Sequence, residues 1–234
     1  STMVLPGSLK KNVDVFPIKE SGGGFFSKSE LDFGSFLVLD PKTGWTKVGT
    51  ETDIGFLSVK TKSAASQRYE FRFGRKGTVK YKGICKNGAV HQQSESGILN
   101  LGGINQRTRS YVRCRLTDGE GTIIGELAIG MVEDFATFDD ADYRGYLKTH
   151  NFRVQVESEF HMEGKSWTTG RPIGYIFRKK GKAIAAVQVQ GPTAVWWHKD
   201  VEPSMRVAIA GAMGALFYFR DLSDAAKPDD DTDN

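Results

Sequence analysis

Alternation with a period of two is the feature that most constrains this chain. Tyr69, Phe71 and Phe73 alternate with Arg68, Glu70 and Arg72, so an extended segment there has one apolar and one charged face. Val112, Cys114 and Leu116 alternate with Tyr111, Arg113 and Arg115, and Phe152, Val154 and Val156 with Arg153, Gln155 and Glu157. Ile173, Tyr175 and Phe177 continue the habit, as do Ala183, Ala185, Val187 and Val189. Glycine-bearing breaks separate the runs at Lys42–Gly44, Gly74–Gly77, Asn87–Gly88, Asp118–Gly121 and Lys180–Gly181. Short strands with polar outer faces predict a mainly β fold of antiparallel sheets, packed on one side and wet on the other.

One stretch breaks the pattern. From Glu202 to Leu222 the chain is apolar nearly all round, with small residues Ala208, Gly211, Ala212 and Ala215 falling on roughly one face at helical spacing. Pro203 suits a first helical position, where its missing N–H costs nothing. A buried helix over 202–222 is therefore expected. A strand is the alternative for Leu216–Phe219, because Phe-Tyr-Phe favours β structure. The apolar run Val207–Phe219 has thirteen residues, short of the ~20 that cross a bilayer.

A faint internal repeat suggests how the β part is divided. Asp40–Gly49 with Ile54-Gly55 resembles Asp118–Gly125 with Ile129-Gly130, and Phe73–Gly77 resembles Phe177–Gly181. The chain then divides into an N-terminal arm (1–29, hinged at Gly22–Gly24), a first β unit (30–108), a second β unit (109–201), the helix (202–222) and an acidic tail (223–234). Shared hairpin turns in an ordinary β protein would produce the same matches.

The net charge of +4 hides its arrangement. Lys60–Leu116 carries +11, Thr117–Gly145 carries −7, residues 146–198 carry +5 and residues 199–234 carry −4, after a first 59 residues at −1. Three arrangements fit such blocks. Basic strand faces bearing Arg68, Arg72, Lys80 and Lys82 could lie on the phosphates of an anionic membrane or a nucleic acid. Basic and acidic blocks, the latter including Asp139, Asp140 and Asp142, could meet between copies of the chain and propagate into a layer. Or the blocks could neutralise one another within one molecule. Nucleic acid is the least favoured partner, since Tyr69, Phe71 and Phe73 point away from Arg68 and Arg72 while single-strand binding wants aromatics among the cations.

Nothing in the sequence spells out a reaction. The four histidines have no metal-ligand spacing, and Cys85 and Cys114 lie 29 residues apart with no adjoining ligand pattern. Two cysteines also exclude a disulfide-dense secreted scaffold, so a reducing intracellular compartment is expected. Asp139, Asp140 and Asp142 lack the loop glycine and distal glutamate of an EF-hand and read as a solvated turn. Gly22–Gly24 lacks the Lys-Ser/Thr of a phosphate loop, and no serine sits in a Gly-x-Ser-x-Gly elbow. No catalytic residue, metal or cofactor is assigned. The pair Trp196-Trp197 stands out, because neighbours on a strand face opposite ways and a two-layer domain buries only one unaided. The other would be covered by the C-terminal segment, a second chain or a membrane interface.

Two resemblances follow from these residues. The hairpin Gly181-Lys-Ala-Ile-Ala-Ala-Val-Gln-Val189 followed by Arg206–Arg220 resembles the end of the tubby-like group, which includes phospholipid scramblases and the plant LURP-one-related proteins. That resemblance implies a β barrel threaded by an apolar helix and a phosphoinositide-binding basic face, although no binding cation carries over by position. The tandem turns Asp40–Gly55 with Asp118–Gly130, and Phe73–Gly77 with Phe177–Gly181, are similar in layout to diatom pyrenoid shell proteins. This implies a self-assembling layer and a plastid stroma reached after loss of a targeting segment. The sequence favours a non-enzymatic structural protein that associates with copies of itself through Trp196, Trp197 and the charge blocks. The alternative is a tubby-like barrel that binds anionic head groups through the Lys60–Leu116 cations.

Overall fold

A computed structural model describes residues 2–21, 30–54, 58–96, 105–134, 143–167, 169 and 171–227 of the chain. The protein is mainly β. In chain order the strands are β1 (Val13–Pro17), β2 (Lys19–Ser21), β3 (Glu30–Phe33), β4 (Phe36–Thr43), β5 (Lys47–Ile54), β6 (Ser58–Arg75) and β7 (Thr78–Ser96). They continue with β8 (Asn105–Thr117), β9 (Ile123–Asp134), β10 (Tyr143–Lys148), β11 (Arg153–Glu159), β12 (Gly174–Lys179), β13 (Lys182–Gln188) and β14 (Ala194–His198). Among the described residues there are two α-helices, α1 (Pro203–Tyr218) and α2 (Ser223–Ala226).

All the strands belong to one antiparallel sheet. From β6 to β14 each strand pairs with the next in sequence, a long meander. The first strands bring the ends of that sheet together. β1 pairs with β14 while β2, separated from it only by Ile18, pairs with β3. Ile18 holds the junction, its N–H donating to Thr193 O at 3.0 Å. The result is a nearly closed barrel in which the expected boundary at 108/109 falls inside β8, itself paired with β7. Closure satisfies the edge hydrogen bonds that an open sheet would leave to solvent. β5 stands apart from the circuit, pairing with the upper half of β6 (Val59–Ser66) while β4 takes the lower half.

The apolar faces of the alternating strands turn inward onto α1. Phe71 and Phe73 are 2% and 0% exposed, while Arg68 and Arg72 on the same strand are exposed. Every residue of α1 from Ala208 to Leu216 is buried. Its small side chains are what let it lie so close to the wall. A Cβ on Gly211 would come within 2.5 Å of the Phe73 ring. Tyr69 Oη anchors the helix by donating to Ala215 O at 2.7 Å. α1 continues through Leu216, Phe217 and Tyr218 as helix; interior packing there outweighs the β preference of the aromatics.

Two local expectations meet a different outcome. Asn87-Gly88 is a strong hairpin signal, yet β7 runs straight through it. Asn87 points inward and its Nδ2 donates to Arg220 O beyond the end of α1. On the outer face the Tyr111 ring lies across Gly88, where a Cβ would come within 2.7 Å of the ring. Both residues are thus set by tertiary contacts. The N-terminal residues 2–21 do not hang free either. Met3 is 0% and Leu9 1% exposed, and the 3-10 turn Gly7–Leu9 is tied to β13 by Ser8 Oγ donating to Ala183 O at 3.1 Å. Gly22–Gly24 and the tail from 228 lie outside the described residues.

Cys85 and Cys114 are directly opposed across β7 and β8 and are joined by a disulfide. The separation of 29 residues gave no reason to pair them; the strand register does. This bond is at odds with the reducing compartment expected from the cysteine count. It is buried inside the barrel, with Cys85 1% and Cys114 4% exposed, which shields it from soluble thiols.

Candidate functional site

The basic block begins as a set of outward-facing positions on β6, β7 and β8, and register decides which of them become neighbours. Some of them find an acid within the chain. Arg72 pairs with Asp40 on β4, its Nε donating at 2.6 Å. Lys82 Nζ lies 3.0 Å from Glu70 Oε2. That hydrogen bond, with the nearby Lys42 and Arg68 charges, holds the Glu70 carboxyl below its ordinary value despite partial desolvation. Lys76 reaches Asp32 at 2.7 Å and Arg115 reaches Glu126 at 3.9 Å. On β5, Glu51 and Asp53 stand in register opposite Lys62 and Lys60.

One rung differs. Arg68 on β6, Lys86 on β7 and Arg113 on β8 are successive cross-strand partners on the exposed face. Like charges directly opposite one another destabilise a sheet, and none of the three makes an ion pair with a described carboxylate. Beside them lies an aromatic shelf. Tyr111 occupies the next outward position on β8, with the Arg113 guanidinium 5.9 Å from its ring centre. Trp45, 94% exposed, sits on the loop between β4 and β5. That loop is pinned at the rung, Gly44 N–H donating to Arg68 O at 2.7 Å and Gln67 Nε2 donating to Gly44 O at 3.1 Å.

The structure therefore divides the residues singled out from sequence. Arg68 belongs to the unpaired rung. Arg72 and Lys82 are tied into ion pairs within the chain. Lys80 is exposed near the β6–β7 turn, its Nζ 5.5 Å from the Tyr81 ring. Asp139, Asp140 and Asp142 lie outside the described residues. Lys86, Tyr111 and Trp45 were missed as site residues, and Arg113 was seen only as part of a pattern. Alternation marks them as outward-facing but carries no register, and register alone makes them a cluster.

Trp196 and Trp197 point to opposite faces of β14, as expected, and both are buried within this one chain, at 4% and 2% exposure. Trp197 faces the barrel interior, its ring 5.9 Å from Phe36 and 5.8 Å from the Arg206 guanidinium. Trp196 faces outward and is covered by Met3, Leu9 and Leu5 together with Ile173 and Ile176. The cover is the N-terminal segment, where the C-terminal segment, a second chain or a membrane was expected. Neither ring offers surface to a partner in this arrangement.

Open pockets lie at both ends of α1. One of about 540 Å³ lies at its N-terminal end between Phe152, Ile124 and Ala208, and one of about 180 Å³ lies at its C-terminal end beside Tyr143 and Asp221. No group of three or more His, Cys, Asp or Glu side chains converges among the described residues. What the geometry defines is a nearly closed antiparallel barrel around an apolar helix, with a rung of three cations on its wall that makes no ion pair with a described carboxylate. No protein family, curated protein or solved structure matches this chain.

Proposed function

We propose that this protein is a non-enzymatic binding module that docks the outer face of β6–β8 onto anionic, phosphate-bearing lipid head groups. The observation that carries this reading is the Arg68–Lys86–Arg113 rung, three adjacent exposed cations with no ion pair to a described carboxylate, beside Tyr111 and exposed Trp45. Keeping like charges together costs the folded sheet, and a phosphate array offsets that cost. Guanidinium groups hold phosphate oxygens in pairs, and tryptophan settles at the head-group level of a bilayer. An apolar helix within a barrel is also what the tubby-like resemblance implies.

The test is co-sedimentation with vesicles of phosphatidylcholine alone or containing a phosphoinositide. Capture should require the phosphoinositide and weaken as salt rises. Arg68→Glu with Arg113→Glu should cut it by about tenfold or more, roughly 1.4 kcal/mol of binding free energy. Lys82→Glu, altering a cation already paired, should have a smaller effect. Capture indifferent to lipid charge would sink the proposal.

A second reading, self-association into a layer, shell or coat built from two related β units, is favoured by a different observation. The outer edge of β5 has no partner strand among the described residues. Val48 on that strand is 61% exposed, and a free edge accepts another strand through main-chain hydrogen bonds. Under this reading particles grow at low salt and Thr50→Pro on β5 stops them. A monomer at every salt and protein concentration in sedimentation velocity would rule it out.

A further inference from the structure

The outer face of β8 carries a second pattern, running along the strand where the rung runs across it. Arg107, Arg109, Tyr111, Arg113 and Arg115 occupy successive outward positions, so four arginines flank one aromatic ring on a single strand. Outward side chains recur roughly every 6.7 Å along a strand, and the column from Arg109 to Arg115 spans about 20 Å. Register supplies few acids to it. The cross-strand partners of Arg109 are Val90 and Val132, and those of Arg113 are Lys86 and Ala128. Neither arginine makes an ion pair with a described carboxylate. Arg115 meets Glu126 at 3.9 Å, with both side chains more than half exposed, so a competing anion displaces that contact at small cost. Asp134 stands opposite Arg107, which leaves the charge of the column concentrated around Tyr111.

The pose of Tyr111 says what such a column suits. Its Cζ, Oη and Cε1 would all lie within 2.9 Å of a Cβ on Gly88, its partner on β7. With no side chain at Gly88, the ring lies down against the sheet and buries that glycine, while Tyr111 itself stays partly exposed. The Arg113 guanidinium is 5.9 Å from the ring centre. A ring lying flat is poorly placed to insert among lipid head groups, but it offers a face on which another planar ring stacks. An aromatic platform set among cations is the arrangement that binds single-stranded nucleic acid, the bases stacking while the cations follow the phosphates. The sequence argument against nucleic acid rested on Tyr69, Phe71 and Phe73, which do turn inward. Tyr111 is an aromatic that faces outward among the cations.

We propose that a single-stranded nucleic acid runs along the outer face of β8, with one base stacked on Tyr111 and the flanking phosphates held by Arg109 and Arg113. The proposal does not rest on the lipid-binding reading, although Tyr111 and Arg113 belong to both. It is tested by fluorescence anisotropy of a labelled oligothymidylate titrated with the full chain over a range of salt. A strand of the same length carrying abasic sugars is titrated beside it. The expected result is saturable binding that weakens as salt rises, with the abasic strand bound at least about fivefold more weakly. Arg109→Gln with Arg113→Gln should make the log–log salt slope shallower by about 1.4, the loss of two phosphate contacts. Tyr111→Leu should weaken the oligothymidylate by about fivefold or more and leave its salt slope unchanged. Tyr111→Phe keeps the platform and should bind like the parent, which separates lost stacking from a disturbed fold. The proposal is overturned if the oligothymidylate shows no saturable binding, if the abasic strand binds equally well, or if Tyr111→Leu binds unchanged. Vesicle capture without oligothymidylate binding overturns this proposal alone and leaves the lipid-binding reading in place.

Discussion

At the scale of single residues, buried polar groups show what the interior demands. His91 is 3% exposed, with Nδ1 2.9 Å from Thr108 Oγ1 on the neighbouring strand. Burial, and secondarily the Lys227 charge, lowers its pKa below the ordinary 6.5. The folded protein therefore keeps His91 neutral at a pH where the unfolded chain has already taken up a proton. Stability from this site is present above about pH 6.5 and is lost as pH falls through that range. Urea midpoints measured between about pH 8 and pH 5 should fall, and His91→Asn should flatten the slope. An unchanged slope in the variant would remove His91 from the account. Tyr69, Tyr175 and Tyr218 titrate well above their ordinary value, each chiefly through burial. They act as neutral hydroxyls throughout that range.

At the scale of elements, β14 shows why alternation alone misjudges burial. A strand with one wet face should lose little when an outward side chain is trimmed. β12, β13 and β14 are instead covered on both faces, by α1 inside and by residues 2–9 outside. Trp196→Ala and Trp197→Ala should then both destabilise, each by about 3–5 kcal/mol, because both leave a buried cavity. Denaturant unfolding checks this, and a Trp196→Ala change below about 1 kcal/mol would contradict the packed N-terminal cover. The consecutive apolar run Ala183–Val187 carried the signal: strands buried on both faces lose their alternation. β7 teaches the converse. Its Asn87-Gly88 reads as a turn by local chemistry, but the ring of Tyr111 and the carbonyl of Arg220 hold it extended.

At the scale of the whole molecule, closure is the organising fact. A meander whose ends meet through β1 and β2 must place its apolar filling inside, and α1, apolar nearly all round, supplies it. The disulfide staples two long central strands of that wall. Linking residues 29 apart restricts the unfolded chain, so Cys114→Ala or full reduction should lower stability by about 2–4 kcal/mol. Thiol titration beside thermal unfolding tests this, and an unaltered midpoint in fully reduced protein would show that the bond adds nothing. Some cations of the basic block are likewise tied down only by the folded whole. Asp40, Glu70 and Glu126 each come from another strand to meet a cation of the Lys60–Leu116 block, whereas Arg68, Lys86 and Arg113 stand side by side with no ion pair to a described carboxylate.

By itself the sequence determined the mainly β character, the inward and outward positions of β6, β8 and β11, four of five breaks between strands, and the separation of basic from acidic blocks. These are local properties, written in the order of neighbouring residues. Only the tertiary structure decided which cations stand alone, which chain segment covers Trp196, that Cys85 meets Cys114, and that the Tyr111 ring lies across Gly88. Each of those depends on strand register or on barrel closure. A shift of two residues along a strand preserves every inward and outward face while changing every cross-strand neighbour.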